Sequence, residues 1–175
     1  LLGNGEFGMN ATDKTKDYHD IISEHILAER TGDYTSKRLS GTAFEDAESI
    51  TTSNAWIEDI LELELESDTD LVVVQLGDNV NTELKRATFN DSCATLISNI
   101  RRIAPKACVA WVYGWYVNNE VRTAIQNALK TYGGEYVEIN DLNTKANQSE
   151  IGTVIKRTNE VEQSLVYDDL RIMSS

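Results

Sequence analysis

The strongest constraint on the fold is one short run, Leu71-Val72-Val73-Val74-Gln75-Leu76, ended by Gly77. A strand with one wet face alternates apolar and polar residues. This run does not alternate, so it predicts a parallel strand buried on both faces. Parallel strands cannot be joined by tight turns, so helices must stand between this strand and its neighbours. A second apolar run over 107–113 ends at Gly114, and a third, Tyr136-Val137-Glu138-Ile139, follows Gly133-Gly134. Val154-Ile155 and Leu165-Val166-Tyr167 are weaker strand candidates.

The stretches between them carry helical periodicity. Residues 13–30 place Tyr18, Ile21, Ile22, His25, Ile26 and Ala28 at helical spacing. Asn54 is expected to cap a helix whose apolar face holds Trp56, Ile57, Ile60, Leu61 and Leu65. Asn90 or Asp91 is expected to cap the next, around Cys93, Leu96, Ile97 and Ile100, ending at Arg101-Arg102 before Pro105. Asn118 or Asn119 caps the last, around Val121, Ala124, Ile125, Ala128 and Leu129, with Gly133 as its stop. Strand–helix alternation of this kind predicts an α/β fold: a three-layer, flavodoxin-like parallel sheet with helices on both faces. The 175 residues are read as a single domain.

Charge narrows the partners. Sixteen basic residues against 29 acidic leave a net −13, which repels phosphate backbones and anionic membrane surfaces. Neither nucleic acid nor membrane is therefore an expected partner, and no apolar stretch approaches the ~20 residues of a spanning helix. Cys93 and Cys108 read as buried core thiols rather than a bridge. His19 and His25 read as ordinary helix positions, so no metal cluster and no cofactor are expected.

In an open parallel sheet, ligands bind beyond the carboxyl ends of the strands. Gly3-Asn4-Gly5, Ser40-Gly41-Thr42, Gly77-Asp78-Asn79, Gly114-Trp115-Tyr116 and Asn140-Asp141 are the segments expected there. An Asn79 carboxamide after the sharp turn at Gly77 can donate to an oxyanion. The competing reading is an Asn that merely caps a turn, its commoner use after a strand. Trp115 and Tyr116 can stack on a sugar or cover an acyl group, or simply pack over the sheet edge. Asp141 reads as a cap for the next turn.

These segments resemble the blocks of SGNH (GDSL-type) hydrolases. Leu1-Leu2-Gly3-Asn4 is similar to the first block, Leu39-Ser40-Gly41-Thr42-Ala43-Phe44-Glu45 to the second, and Gly77-x-Asn79 to the third. Gly8-Met9-Asn10-Ala11-Thr12, followed by Lys16-Asp17-Tyr18, resembles a stretch in one bacterial branch. The resemblance implies serine-type ester hydrolysis, with a small-molecule or carbohydrate ester as substrate and deacylation of a decorated carbohydrate as the favoured reaction. It makes Gly41 and Asn79 oxyanion-hole donors, and puts the nucleophile at the turn flanked by Asn4 and Gly5. Trp115 and Tyr116 become substrate-binding residues. A secreted or cell-surface location is favoured over a cytoplasmic one.

The chain departs from that pattern at both catalytic groups. Gly5 stands where the nucleophilic Ser is expected, and no D-x-x-H triplet supplies the base. Pro105 is the single proline, where average usage would supply about nine. With the opening in mid-strand, this leads us to expect that loop residues between 4 and 5 and a C-terminal catalytic block are missing from the sequence. Two other readings stay open: an inactive binding module on the same fold, and an unrelated flavodoxin-like ligand-binding domain. For the second, Gly3-Asn4-Gly5-Glu6-Phe7-Gly8 fits G-x-G-x-x-G, but Glu6 would repel phosphate.

Overall fold

Helix and strand boundaries follow from local capping chemistry, and the computed structural model describes them for Thr15 and residues 17–147. Contacts divide the chain into two compact units: Leu39–Asn147 is one, and the residues up to Arg38 belong to the other. Asn4, Gly5, the Gly8–Thr12 stretch, and the strand candidates at 154–155 and 165–167 lie outside the described residues.

In the first unit, α1 (Tyr18–Glu29) begins later than its apolar spacing suggests. Asp17 is extended, and its Oδ1 accepts the His19 N–H at 2.8 Å. Asp serves a helix better as an N-cap than in its interior, so the helix starts after it. The second Asp17 oxygen lies 3.0 Å from the Arg38 guanidinium.

The second unit runs α2 (Thr42–Glu45), α3 (Ile50–Trp56), a π-helical turn (Ile57–Leu61) and α4 (Glu62–Glu64). There follow β1 (Leu71–Val74), α5 (Glu83–Ile103), β2 (Cys108–Tyr113), α6 (Asn119–Tyr132) and β3 (Glu135–Glu138). The three strands form one parallel open sheet in the order β1-β2-β3. Val74 stands opposite Trp111, and Trp111 opposite Tyr136. The described fold is thus α/β around a parallel sheet.

Two caps differ from expectation. α3 is capped by Ser49, whose Oγ accepts the Thr52 N–H at 3.2 Å, and Asn54 lies inside the helix. α5 is capped by Thr82, whose Oγ1 accepts the Lys85 N–H at 3.2 Å, so Asn90 and Asp91 are mid-helix. The Glu-Leu-Lys-Arg-Ala stretch behind Thr82 consists of strong helix formers, which start the helix more than two turns nearer the N-terminus. Asn118 does cap α6, accepting from Glu120 and Val121.

Period-two alternation decides which strand residues enter the core. Val74, Val109, Trp111 and Tyr113 are buried against the apolar stripes of α5 and α6, which pack side by side. Phe44, Phe89 and Trp111 continue this core as a chain of edge-to-face rings, with centroids 6.0 and 6.1 Å apart. Residues of the opposite parity are open: Leu71 and Val137 are exposed, and so is Cys108, which was expected in the core. The β1 run is likewise less enclosed than its hydrophobicity suggests, with only Val74 of its four residues buried. Apolar content specifies that both faces could be buried; which one is depends on where the crossover helices lie.

Candidate functional site

The carboxyl end of β1 gathers three of the expected segments. Gly77 turns the chain there with φ +126°, a region that L side chains rarely adopt. A Cβ at this position would also stand 2.8 Å from the Tyr113 ring. Glycine is therefore required twice over, by conformation and by space.

Glu45, at the end of α2, reaches this turn from below. Its side chain is buried, yet all its contacts at the turn are to donors. Oε1 accepts the Gly77 N–H at 2.5 Å and lies 3.5 Å from the Asn79 N–H. Oε2 accepts Nδ2 of Asn79 at 3.0 Å. Gly41 is the N-cap of the same short helix. It lies against the Leu76 side chain, which an added Cβ would have to displace. The Ser40 carbonyl beside it accepts the Trp56 indole N–H at 2.9 Å. Glu45 thereby joins the Gly41 segment to the Gly77–Asn79 turn.

Asp78 points to the other side. Its Oδ1 accepts the Tyr116 N–H at 3.0 Å, which ties the turn to the Trp115-Tyr116 loop. Burial raises the Asp78 carboxyl to about 6; the Tyr116 hydrogen bond opposes this and the nearby Glu45 charge adds to it. Tyr113 organises the same loop: its hydroxyl donates to the Tyr116 carbonyl at 3.0 Å and accepts the Asn118 N–H at 2.9 Å. Burial pushes that phenol up to about 12, so it remains a donor at ordinary pH. The Trp115 carbonyl accepts Nδ2 of Asn143 at 2.5 Å. The Trp115 indole nitrogen is buried without a hydrogen-bond partner.

Gly41, Asn79, Trp115 and Tyr116 are therefore linked around one strand end. Asn4 and Gly5 are outside the described residues. Asp141 lies within the 3₁₀ turn Asn140–Leu142, whose cap is Ile139.

Two features were not picked out from the sequence. Glu45 looked like the end of a motif; only its burial against the turn reveals a role. In the first unit, His19 Nε2 lies 3.1 Å from Ser36 Oγ and its Nδ1 lies 3.4 Å from Asp20 Oδ1. That is the contact order of a hydroxyl, a base and an orienting carboxylate. The same contact also staples α1 to the segment that follows it, as Tyr34 does through Ser23 at 2.8 Å. The seventeen-residue separation hid the pairing.

Among the described residues no group of three or more His, Cys, Asp or Glu side chains is placed to hold a metal ion. No described helix is long and apolar enough to cross a membrane. No family model matches the chain, and no curated protein or solved structure matches it at a significant level.

Proposed function

We propose that this chain carries the oxyanion-hole frame of a serine-type ester hydrolase of the SGNH kind, with Gly41 and Asn79 as donors to the tetrahedral oxyanion; Gly5 stands at the nucleophile's place and no D-x-x-H base occurs in the sequence. One observation carries the reading: Glu45 holds the Gly41 helix and the Asn79 turn together at the carboxyl end of β1. Two segments that resemble separate blocks of that family, over thirty residues apart, are thus joined at one strand end, which supports the reading. Trp115 and Tyr116, tied to Asp78 in the same place, are proposed to receive the alcohol or acyl part of an acylated carbohydrate. The finer fold is proposed to be the three-layer, flavodoxin-like arrangement; the parallel sheet supports it, while α5 and α6 cover one face only and the second helical layer is what the proposal adds.

A specific observation favours the inactive binding module as a second reading. Asn79 already donates to a carboxylate, and a negative Glu45 beside an oxyanion opposes its formation. The discriminating experiment measures hydrolysis of p-nitrophenyl acetate and of an acetylated oligosaccharide by the full chain and by Asn79→Ala. Loss of one oxyanion donor costs about 2.7–4 kcal/mol of transition-state stabilisation, so kcat should fall about 10²–10³-fold with little change in KM. Unchanged turnover in the variant would remove Asn79 from the site. A wild-type chain that binds the oligosaccharide without turnover would favour the binding module.

A further inference from the structure

We propose that Glu45 is a positioning residue that sets which edge of the Asn79 carboxamide faces the ligand; this rests on the esterase reading above. A carboxylate only accepts hydrogen bonds. Facing Glu45 Oε2, the Asn79 carboxamide must therefore present Nδ2, because the flipped rotamer would set Oδ1 against a carboxylate oxygen. Nδ2 carries two hydrogens. Glu45 takes one, and the second is the donor left for a developing oxyanion. Oε1 meanwhile accepts the Gly77 N–H and lies near the Asn79 N–H, so the same side chain fixes the backbone that carries the carboxamide.

Two acceptor oxygens are needed for this, one for the backbone of the turn and one for Nδ2. Glutamine has the same shape but one acceptor. In Glu45→Gln, either the Gly77 N–H or Asn79 Nδ2 meets an NH₂ group, and the cheapest relief is a flip of Asn79. The position of the donor then changes although the residue is intact. Positioning matters most in the transition state, where charge develops on the oxygen being held.

The test is a double-mutant cycle on the full chain, with ester turnover read as kcat and KM separately. Glu45→Gln should lower kcat about tenfold to a hundredfold, the range for a hydrogen bond to a charged group, with KM nearly constant, the misplaced donor outweighing the relief from removing the negative charge. In the Asn79→Ala background the same substitution should add little, because its effect runs through Asn79. Full additivity, or a change in KM alone, would overturn the proposal while leaving the esterase reading intact.

A second readout needs no turnover, and its first measurement needs no variant. In the ¹H–¹⁵N spectrum of the wild-type chain, one Asn79 side-chain proton should be shifted downfield and protected from exchange. Its partner should exchange as an open amide does. Glu45→Asp, which keeps both acceptors but shortens the reach, should restore part of this signature where Glu45→Gln abolishes it. Asn79 protons that both show the shifts and the fast exchange of an open carboxamide in the wild type would refute the clamp whatever the catalytic result. A clear clamp signature without ester turnover would uphold the geometry and reject the reaction it was meant to serve.

Discussion

Replacing Asp78 with Asn should stabilise the fold at neutral pH, although it removes a charged residue from a hydrogen-bonded site. Burial is the first cause of the raised carboxyl, which moves from an ordinary 3.8 to about 6. Each tenfold change in proton affinity is worth about 1.36 kcal/mol, so the ionised form costs the folded state on the order of 3 kcal/mol. The sign follows from linkage. A carboxyl whose folded value lies above its unfolded one binds protons more tightly when folded. The cost is therefore full above about pH 6, shrinks as pH falls, and is gone below about 3.8. Asn keeps an oxygen to accept the Tyr116 N–H and carries no charge to desolvate. Urea unfolding of both proteins between pH 4 and pH 8 measures this directly. The variant should be more stable by up to ~3 kcal/mol at pH 7.5, with the difference dwindling to a few tenths near pH 4. A difference that is flat across this range, or a variant less stable at pH 7.5, would refute the argument that desolvation dominates at Asp78.

Other substitutions probe the frame of the site. Gly77→Ala combines a positive φ with a Cβ 2.8 Å from the Tyr113 ring, and should destabilise by about 2–4 kcal/mol in the same unfolding assay. Arg101 donates to the carbonyls of Tyr132, Ala107 and Gly133 at 3.0, 2.5 and 2.7 Å. Arg101→Ala should cost about 1.5–3 kcal/mol, and Arg101→Lys should recover less than half, because a point charge cannot reach three carbonyls as the planar fork does. In the native protein a thiol reagent should modify Cys108 quickly and Cys93 only on unfolding, since Cys93 is buried and its thiol is held well above its ordinary range. Equal labelling rates would contradict the placement of β2.

Parts of this architecture were legible because they rest on local chemistry. An apolar run closed by glycine marks β1 and β2, and the gaps between runs leave room only for crossover helices, so the parallel sheet could be read directly. Asn118 was a legible cap because it stands immediately before a periodic stretch. Asn54, Asn90 and Asp91 misled for the same reason. Each is a good cap residue, but strong helix formers carry α5 back to Thr82, and the Ser49 cap starts α3 ahead of Asn54 although Ile50-Thr51-Thr52-Ser53 are weak formers. A cap acts only where the helix actually starts, and that is settled by the whole segment rather than by one side chain.

The site divides along similar lines. The sequence alone determined that Asn79, Trp115 and Tyr116 would stand near strand ends, since chain order and strand direction place whatever follows a parallel strand at one edge of the sheet; Gly41 follows no described strand, and the tertiary structure brings it there. Tertiary structure alone decided that Glu45 would reach across thirty-two residues to hold Gly77 and Asn79. It also decided that Asp78 would face Tyr116 and be driven up by burial, and that Cys108 would lie in the open. The physical reason is the same in each case. Direction and periodicity are properties of a single segment, whereas burial, hydrogen-bond partners and proton affinity belong to the surroundings that other segments build.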